Sequence, residues 1–358
     1  MRAPTVAAIT LNPTGGGIAV VSNLLWRVVR DQWGPAARLL TMFDHESRPA
    51  TFAEKARYTT ALMSAQAFGR TDWILFSHLA LAKIQTAVPL RLRRPYGVFL
   101  HGIEAWNGLT PVEKETLSQA RIRVANSTYT AARITQAHPD IGPIEACPLA
   151  LPPPTISDRI DDAPGRLGPH AVLSVGRMNR SERYKGHDQL IDAWPAVVDT
   201  IQDAQLVFVG DGDDAGRLME KASASRAARN IQFMGYVSSA TLDALYRSVA
   251  LFALPSRAEG FGLVYLEAMA HRLACIGSIH DAAGEVIVDG QTGQLVNQDD
   301  RESLATTVSN LLLDEQRRQR MGEAGYRRLL SEFSFDRFRA RISTLLYADR
   351  PAPVRAIV

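Results

Sequence analysis

An α/β fold in two halves is what this sequence predicts, and three observations carry that prediction. The chain has 358 residues, too many for one ordinary core and suited to two domains of roughly 150–200 residues each. Each half alternates short apolar runs with helical or polar stretches, the pattern of a parallel sheet covered by helices. Between the halves the chain breaks at Cys147-Pro148-Leu149-Ala150-Leu151-Pro152-Pro153-Pro154, because a proline run continues neither a helix nor a central strand. Acid-rich sequence with Gly and Pro follows as far as Pro169, so an interdomain linker is expected at 152–169.

In the first half, residues 6–11 read as a buried strand. The loop Asn12-Pro13-Thr14-Gly15-Gly16-Gly17 follows, and residues 18–30 then show helical spacing of Ile18, Val21, Leu25 and Val28. Strand, Gly-rich turn, helix opens a nucleotide-type α/β domain, although neither the Gly-x-Gly-x-x-Gly fingerprint nor a Walker loop is present. Further strands are expected at 39–43, 73–76, 97–100 and 122–125. Ligands of parallel sheets bind outside the carboxyl ends of strands. Two such ends carry polar residues here, His101-Gly102 and Asn126-Ser127. The basic segment 89–95, bounded by prolines, reads first as a solvated loop and second as a contact for lipid phosphates.

The second half opens with a strand at 171–176 that ends in Gly176. Arg177 follows directly, then Lys185-Gly186. Two cations in one loop after a strand can converge on a diphosphate, Arg bidentately and Lys as a mobile point charge. Strands are expected at 205–209, 231–234, 250–254 and 273–276, with helices that include 188–198 and 240–248, a second Rossmann-like set. Asp211-Gly212-Asp213 has the form of an Asp-x-Asp metal motif but reads first as a strand-to-helix turn. After the strand at 250–254, Glu259 stands beside Gly260 and Gly262, and a helix begins near Leu263. Glycines let backbone approach a ligand closely, and the helix N-terminus offers unpaired N–H groups to an anion. A second carboxylate, Glu267, follows two turns later. Strand, loop with acid, helix with acid is a layout for holding a polar ligand that carries phosphate.

Composition is that of a soluble globular chain, 46% hydrophobic and 22% charged. Cys147 and Cys275 are the only cysteines and lack metal-ligand spacing, which fits a reducing, cytoplasmic compartment and excludes a disulfide scaffold. No apolar run approaches the roughly 18–20 residues of a membrane span. The first apolar run is too short for a signal peptide. Net charge is +3 but unevenly spread, since Lys and Arg exceed Asp and Glu in residues 1–150 and the reverse holds beyond. A basic first half suits an anionic partner such as a lipid diphosphate or membrane surface. Aromatic interleaving and recognisable modules for nucleic acid are absent.

The Glu259 and Glu267 pair, with Gly260-Phe261-Gly262 inside it, resembles the signature of retaining glycosyltransferases of the GT-B fold, family 4 (glycosyl transferases group 1). The loop Ser181-Glu182-Arg183-Tyr184-Lys185-Gly186 and the segment Asp281-Ala282-Ala283-Gly284-Glu285 look like bacterial exopolysaccharide mannosyltransferases. The resemblance implies two Rossmann-like domains facing across a cleft, at 1–151 and 170–334, with a last helix from 335 crossing back to the first. By the same resemblance Glu259 holds hydroxyls of the donor sugar and Glu267 the ribose. The backbone at Phe261, Gly262, Leu263 and Val264 meets the diphosphate, which Arg177 and Lys185 clamp. Gly16 and Gly17 lie near the donor phosphates, His101 near the reacting sugar, and Gly235 and Tyr236 at the base. No metal and no cofactor is implied, the nucleotide-sugar being a substrate. Two departures stand out. The loop between Arg177 and Lys185 is longer than usual, and Asp281-Ala282 replaces a Gly-Gly pair.

The implied reaction transfers a hexose from a nucleoside-diphosphate sugar, GDP-mannose first and a UDP-sugar second, to an alcohol of a glycan or lipid-linked acceptor. Contact with the inner membrane face goes with such an acceptor. The alternatives are a nucleotide-sugar epimerase or sugar phosphorylase on the same fold, and a non-catalytic nucleotide-sugar-binding protein.

Overall fold

The computed structural model describes residues 4–12, 16–43, 50–106, 108–152 and 167–348. The chain clusters into two compact units, Met1–Pro152 with Ser334–Val358, and Pro153–Phe333. Residues 153–166, most of the expected linker, lie outside the described residues.

The first unit runs β1 (Pro4–Ala8), α1 (Gly16–Trp33), β2 (Arg38–Thr41), α2 (Phe52–Ala67), β3 (Trp73–Phe76), α3 (Leu79–Ala82), β4 (Tyr96–Leu100), α4 (Ile103–Trp106), α5 (Pro111–Gln119), β5 (Ile122–Ala125), α6 (Thr128–Ala137) and β6 (Glu145–Ala146). Its strands form one parallel sheet in the order β2-β1-β3-β4-β5-β6, with Val6 opposite both Leu39 and Leu75. β1 and β4 are buried along their whole length, as strands covered on both faces must be. Helix α1 buries Val21, Leu25 and Val28, the face its spacing predicts, together with Leu24 and Val29.

β1 ends at Ala8, short of the expected Leu11. The Thr10 hydroxyl accepts the Asn12 N–H at 3.0 Å, and this local turn replaces the sheet ladder. Helices α2 and α5 have no counterpart among the expected helices. Each begins with a reciprocal capping box, Thr51 with Glu54 and Thr110 with Glu113. In the basic segment, Arg93 donates to Val88 C=O at 2.9 Å and the Arg94 N–H donates to Gln66 Oε1 at 3.1 Å. Arg93 is thus tied within its own loop, while the Arg94 backbone holds the segment to α2, whose Gln66 C=O also accepts from Arg94 Nη2 at 3.4 Å.

The second unit runs β7 (Ala171–Val175), α7 (His187–Thr200), β8 (Gln205–Val209), α8 (Ala215–Ser223), β9 (Ile231–Phe233), α9 (Ser239–Ser248), β10 (Leu251–Ala253), α10 (Leu263–Ala270), β11 (Ala274–Ser278), α11 (Ala283–Val286), β12 (Gly293–Val296), α12 (Arg301–Leu313) and α13 (Glu315–Glu332). The sheet is parallel throughout, in the order β12-β11-β10-β7-β8-β9. Its core includes Leu190, Trp194 and Val197 of α7, Leu206 and Phe208 of β8, and Leu304, Val308 and Leu311 of α12. The last helix, α14 (Phe335–Ala348), belongs to the first unit. It buries Phe338 and Ile342, and the Arg27 guanidinium of α1 lies 5.4 Å above the Phe335 ring.

Candidate active site

Each sheet reverses its strand order once. In the second unit the chain leaves β7 outward to β8 and β9 on one side, and takes β10, β11 and β12 on the other. Loops from the carboxyl ends of β7 and β10 therefore leave the sheet at this reversal, the place where ligands of such sheets bind. The β7 loop carries Arg177 and Lys185, and the β10 loop carries Glu259.

Backbone contacts fix these two loops to each other. Residues 180–185 form a 3-10 turn. The Arg257 N–H donates to Tyr184 C=O at 2.8 Å. Gly186 has φ +83°, and a Cβ there would overlap the carbonyl oxygen of Pro255. Only glycine meets both demands at that crossing.

Lys185 Nζ pairs with Glu259 Oε1, and the two side chains are 12% and 16% exposed. Arg177 pairs instead with Glu182, which also accepts from Asn179 Nδ2 at 3.3 Å. The two expected phosphate ligands thus stand each with its own carboxylate. Glu182 has no expected role from sequence; its place in the long loop was the only signal. Gly176 leaves room for the Lys185 stem, since a Cβ there would lie 3.3 Å from Lys185 Cδ and 3.5 Å from His187 Nε2. His187 is buried with Nε2 unpartnered. Burial lowers its pKa to about 4, with the Lys185 charge acting in the same sense.

The long loop is held from outside by charge. Arg183 grips Asp214 at 2.6 and 2.9 Å, and Arg217 joins Asp214 to Asp188. Arg217 and Arg183 hold the Asp214 carboxyl well below the usual carboxylate range, and Asp188 is lowered to about 2 by Arg217 first and Lys221 next. Asp211 and Asp213 belong to the adjoining turn. Asp213 Oδ1 accepts the Arg180 N–H at 2.8 Å and Asp211 Oδ1 accepts the Gly212 N–H at 2.7 Å.

Gly262, at φ +87°, caps α10, and a Cβ there would overlap the Tyr265 ring. The Tyr265 hydroxyl donates to Leu254 C=O at 2.6 Å, which ties the helix start back to β10. The Phe261 ring is buried against Phe333 at 5.7 Å, so Phe261 offers a ligand its backbone alone. Leu263 and Val264 open α10, where N–H groups lack intrahelical partners. Glu267, one turn on, accepts from the Tyr246 hydroxyl at 2.9 Å. Burial raises the Glu267 pKa, opposed by that hydrogen bond and by the His271 charge. Tyr246 stacks on His271 at 5.1 Å. Nothing in the sequence marks Tyr246, which occupies an ordinary apolar position of α9. At the end of β9, Gly235 C=O accepts the Gly210 N–H at 2.9 Å. Tyr236 is 70% exposed and packs in no core.

In the first unit the reversal lies between β1 and β3. Gly16 and Gly17 begin α1 and are exposed. His101, at the end of β4, is half-buried, with Nε2 2.7 Å from Ser77 C=O at the end of β3. A carbonyl only accepts, so Nε2 carries a proton and Nδ1 is left as the ring's other polar atom. Asn126 Nδ2 donates to His101 C=O at 2.7 Å. His78 stacks on His101 at 5.4 Å. Its own Nδ1 accepts the Ala80 N–H at 3.0 Å, and burial first lowers its pKa to about 4.

Residues 159–328 match the family described as glycosyl transferases group 1. The chain is 31% identical over 270 residues to the GDP-mannose-dependent alpha-(1-6)-phosphatidylinositol monomannoside mannosyltransferase of Mycolicibacterium smegmatis, covering 70% of each chain. It is 28% identical over 272 residues to the enzyme of the same name from Mycobacterium tuberculosis, covering 70% of this chain and 69% of that one. Among solved structures, Anabaena HepE in complex with UDP and glucose matches with TM-score 0.75 and 16% identity, over 97% of this chain and 100% of that one. Sucrose-phosphate synthase from Thermosynechococcus elongatus matches with TM-score 0.76 and 18% identity, over 97% and 99%. With two parallel, helix-covered sheets of this topology and these relatives, the chain belongs to the group 1 glycosyltransferases and has their GT-B fold.

Proposed function

We propose that this glycosyltransferase moves a hexose, mannose from GDP-mannose first and a sugar from a UDP donor second, to an alcohol of a glycan or lipid-linked acceptor with retained configuration. The Lys185–Glu259 pair at the strand-order reversal is the observation that carries this reading. An ammonium and a carboxylate held together, both mostly buried, are the groups a phosphorylated sugar needs, one for the phosphate and one for hydroxyls. The named relatives with GDP-mannose dependence favour the donor.

As the diphosphate leaves, the donor carbon becomes oxocarbenium-like. Lys185, Arg177 and the N–H groups that open α10 stabilise the departing charge. Glu259 holds the sugar and Glu267 the ribose. Gly16 and Gly17 approach the phosphates, Gly235 and Tyr236 border the base, and His101 orients the sugar. The incoming alcohol attacks from the face the diphosphate leaves, and the leaving phosphate takes its proton. No covalent nucleophile and no metal takes part. Donor binding then exchanges partners: Lys185 passes from Glu259 to phosphate, and Glu259 to hydroxyls.

Glu259→Ala tests this. Turnover of GDP-mannose should fall about 100-fold or more, with the affinity for GDP changed less than about threefold. Undiminished turnover removes Glu259 from the site. The anomeric proton of the product, read by NMR, checks retention; an inverted product refutes the same-face route.

The acceptor reading extends to a membrane. No described helix is long and apolar enough to cross one, so contact is proposed as peripheral, through the basic first half. Co-sedimentation with anionic vesicles should be strong at low salt and lost at high salt. Equal binding to neutral vesicles contradicts it.

A further inference from the structure

Asp281 follows β11 and has no part in the donor contacts described above. It is 6% exposed. Its Oδ2 accepts the Glu259 N–H at 3.0 Å, and its Oδ1 accepts the Ala283 N–H at 2.9 Å. The Ala282 N–H in turn donates to Glu259 C=O at 3.2 Å. Both backbone polar groups of Glu259 are thus held by the turn at 281–282, while its side chain goes to Lys185.

A carboxylate suits this place. When ionised it accepts only, and two backbone N–H groups converge on its two oxygens. An amide would turn its NH2 toward one of the N–H groups. The arrangement is electrostatically expensive: burial first, and the neighbouring Glu259 charge as well, push the Asp281 pKa up to about 7.

We propose that Asp281 is the positioning residue for Glu259, clamping that residue's backbone so that its carboxylate is presented at a fixed point beside Lys185. Asp281 is 6% exposed and reaches the site through the backbone of Glu259, so its role is exerted through that residue. The proposal rests on the reading of Glu259 as the sugar-side carboxylate.

Asp281→Asn, Glu259→Gln and the unmodified protein are compared by three measurements: hydrogen exchange of peptides covering 255–262, GDP affinity, and release of GDP from GDP-mannose. In Asp281→Asn the Glu259 amide should exchange at least about tenfold faster, and kcat should fall about tenfold or more. GDP affinity should stay within about twofold. A merely structural role would lower Tm and yield but leave kcat per folded molecule intact, and that result overturns the proposal. Exchange as slow as in the unmodified protein overturns it too. If Glu259→Gln turns over normally, the reading of Glu259 fails, while the exchange measurement still decides whether Asp281 clamps the loop. Should Asp281→Asn not fold, Asp281→Ser keeps one short acceptor for the Ala283 N–H alone, and faster exchange at Glu259 is expected there as well.

Discussion

Lys185 and Glu259 are each other's counter-ion, and both are mostly buried. Removing one partner of such a pair leaves the other charge uncompensated, at about 3–5 kcal/mol. Substitutions here therefore lower stability as well as activity, and affinity has to be measured on folded protein. Glu267 is different. It is held from behind by the Tyr246 hydroxyl, a hydrogen bond to a charged acceptor worth about 1.5–3 kcal/mol. If Glu267 binds ribose in ground and transition states alike, loosening it changes binding without changing chemistry. Tyr246→Phe should raise KM for the nucleotide-sugar about three- to tenfold with kcat within about twofold. Steady-state kinetics check this, and a fall in kcat at constant KM would place Glu267 elsewhere in the mechanism. Charge and spacing pointed to Glu267. Its support from α9 was invisible, because a tyrosine in an apolar face reads as core.

At the scale of elements, the turn at 180–185 shows how far local sequence reaches. It belongs to a loop that is longer than the family's usual one. The structure closes it into a 3-10 turn, fastened by Arg183 to Asp214 and by Tyr184 C=O to the Arg257 N–H. Those partners stand 31 residues away in the first case and on another strand's loop in the second. No local pattern reveals them. Gly186 is the point on which the crossing turns. Gly186→Ala adds a Cβ against Pro255 C=O at a positive φ, a strain of about 1–3 kcal/mol. Thermal unfolding should show Tm lowered by roughly 5 °C or more. An unchanged Tm would mean that the two loops separate at no cost. Other elements do carry a local signal: Thr51 with Glu54 and Thr110 with Glu113 are capping boxes that mark the starts of α2 and α5.

Across the whole molecule, alternation of apolar runs was enough to foretell two parallel sheets, because strands buried on both faces leave near-continuous apolar sequence. The strand orders were not legible. They depend on which crossovers pack, and they decide which loops share a crevice. That is why Lys185 and Glu259, 74 residues apart, could be proposed as site residues but not as a pair. Their pairing at the β7–β10 reversal is the centre of this account. The most direct test is a calorimetric titration of the protein and its Lys185→Ala and Glu259→Gln variants with GDP and GDP-mannose, with and without EDTA. The account predicts that both ligands bind the unmodified protein, that EDTA changes neither, that Lys185→Ala weakens both, and that Glu259→Gln weakens GDP-mannose alone. Binding of both ligands to Lys185→Ala as tightly as to the unmodified protein would contradict it.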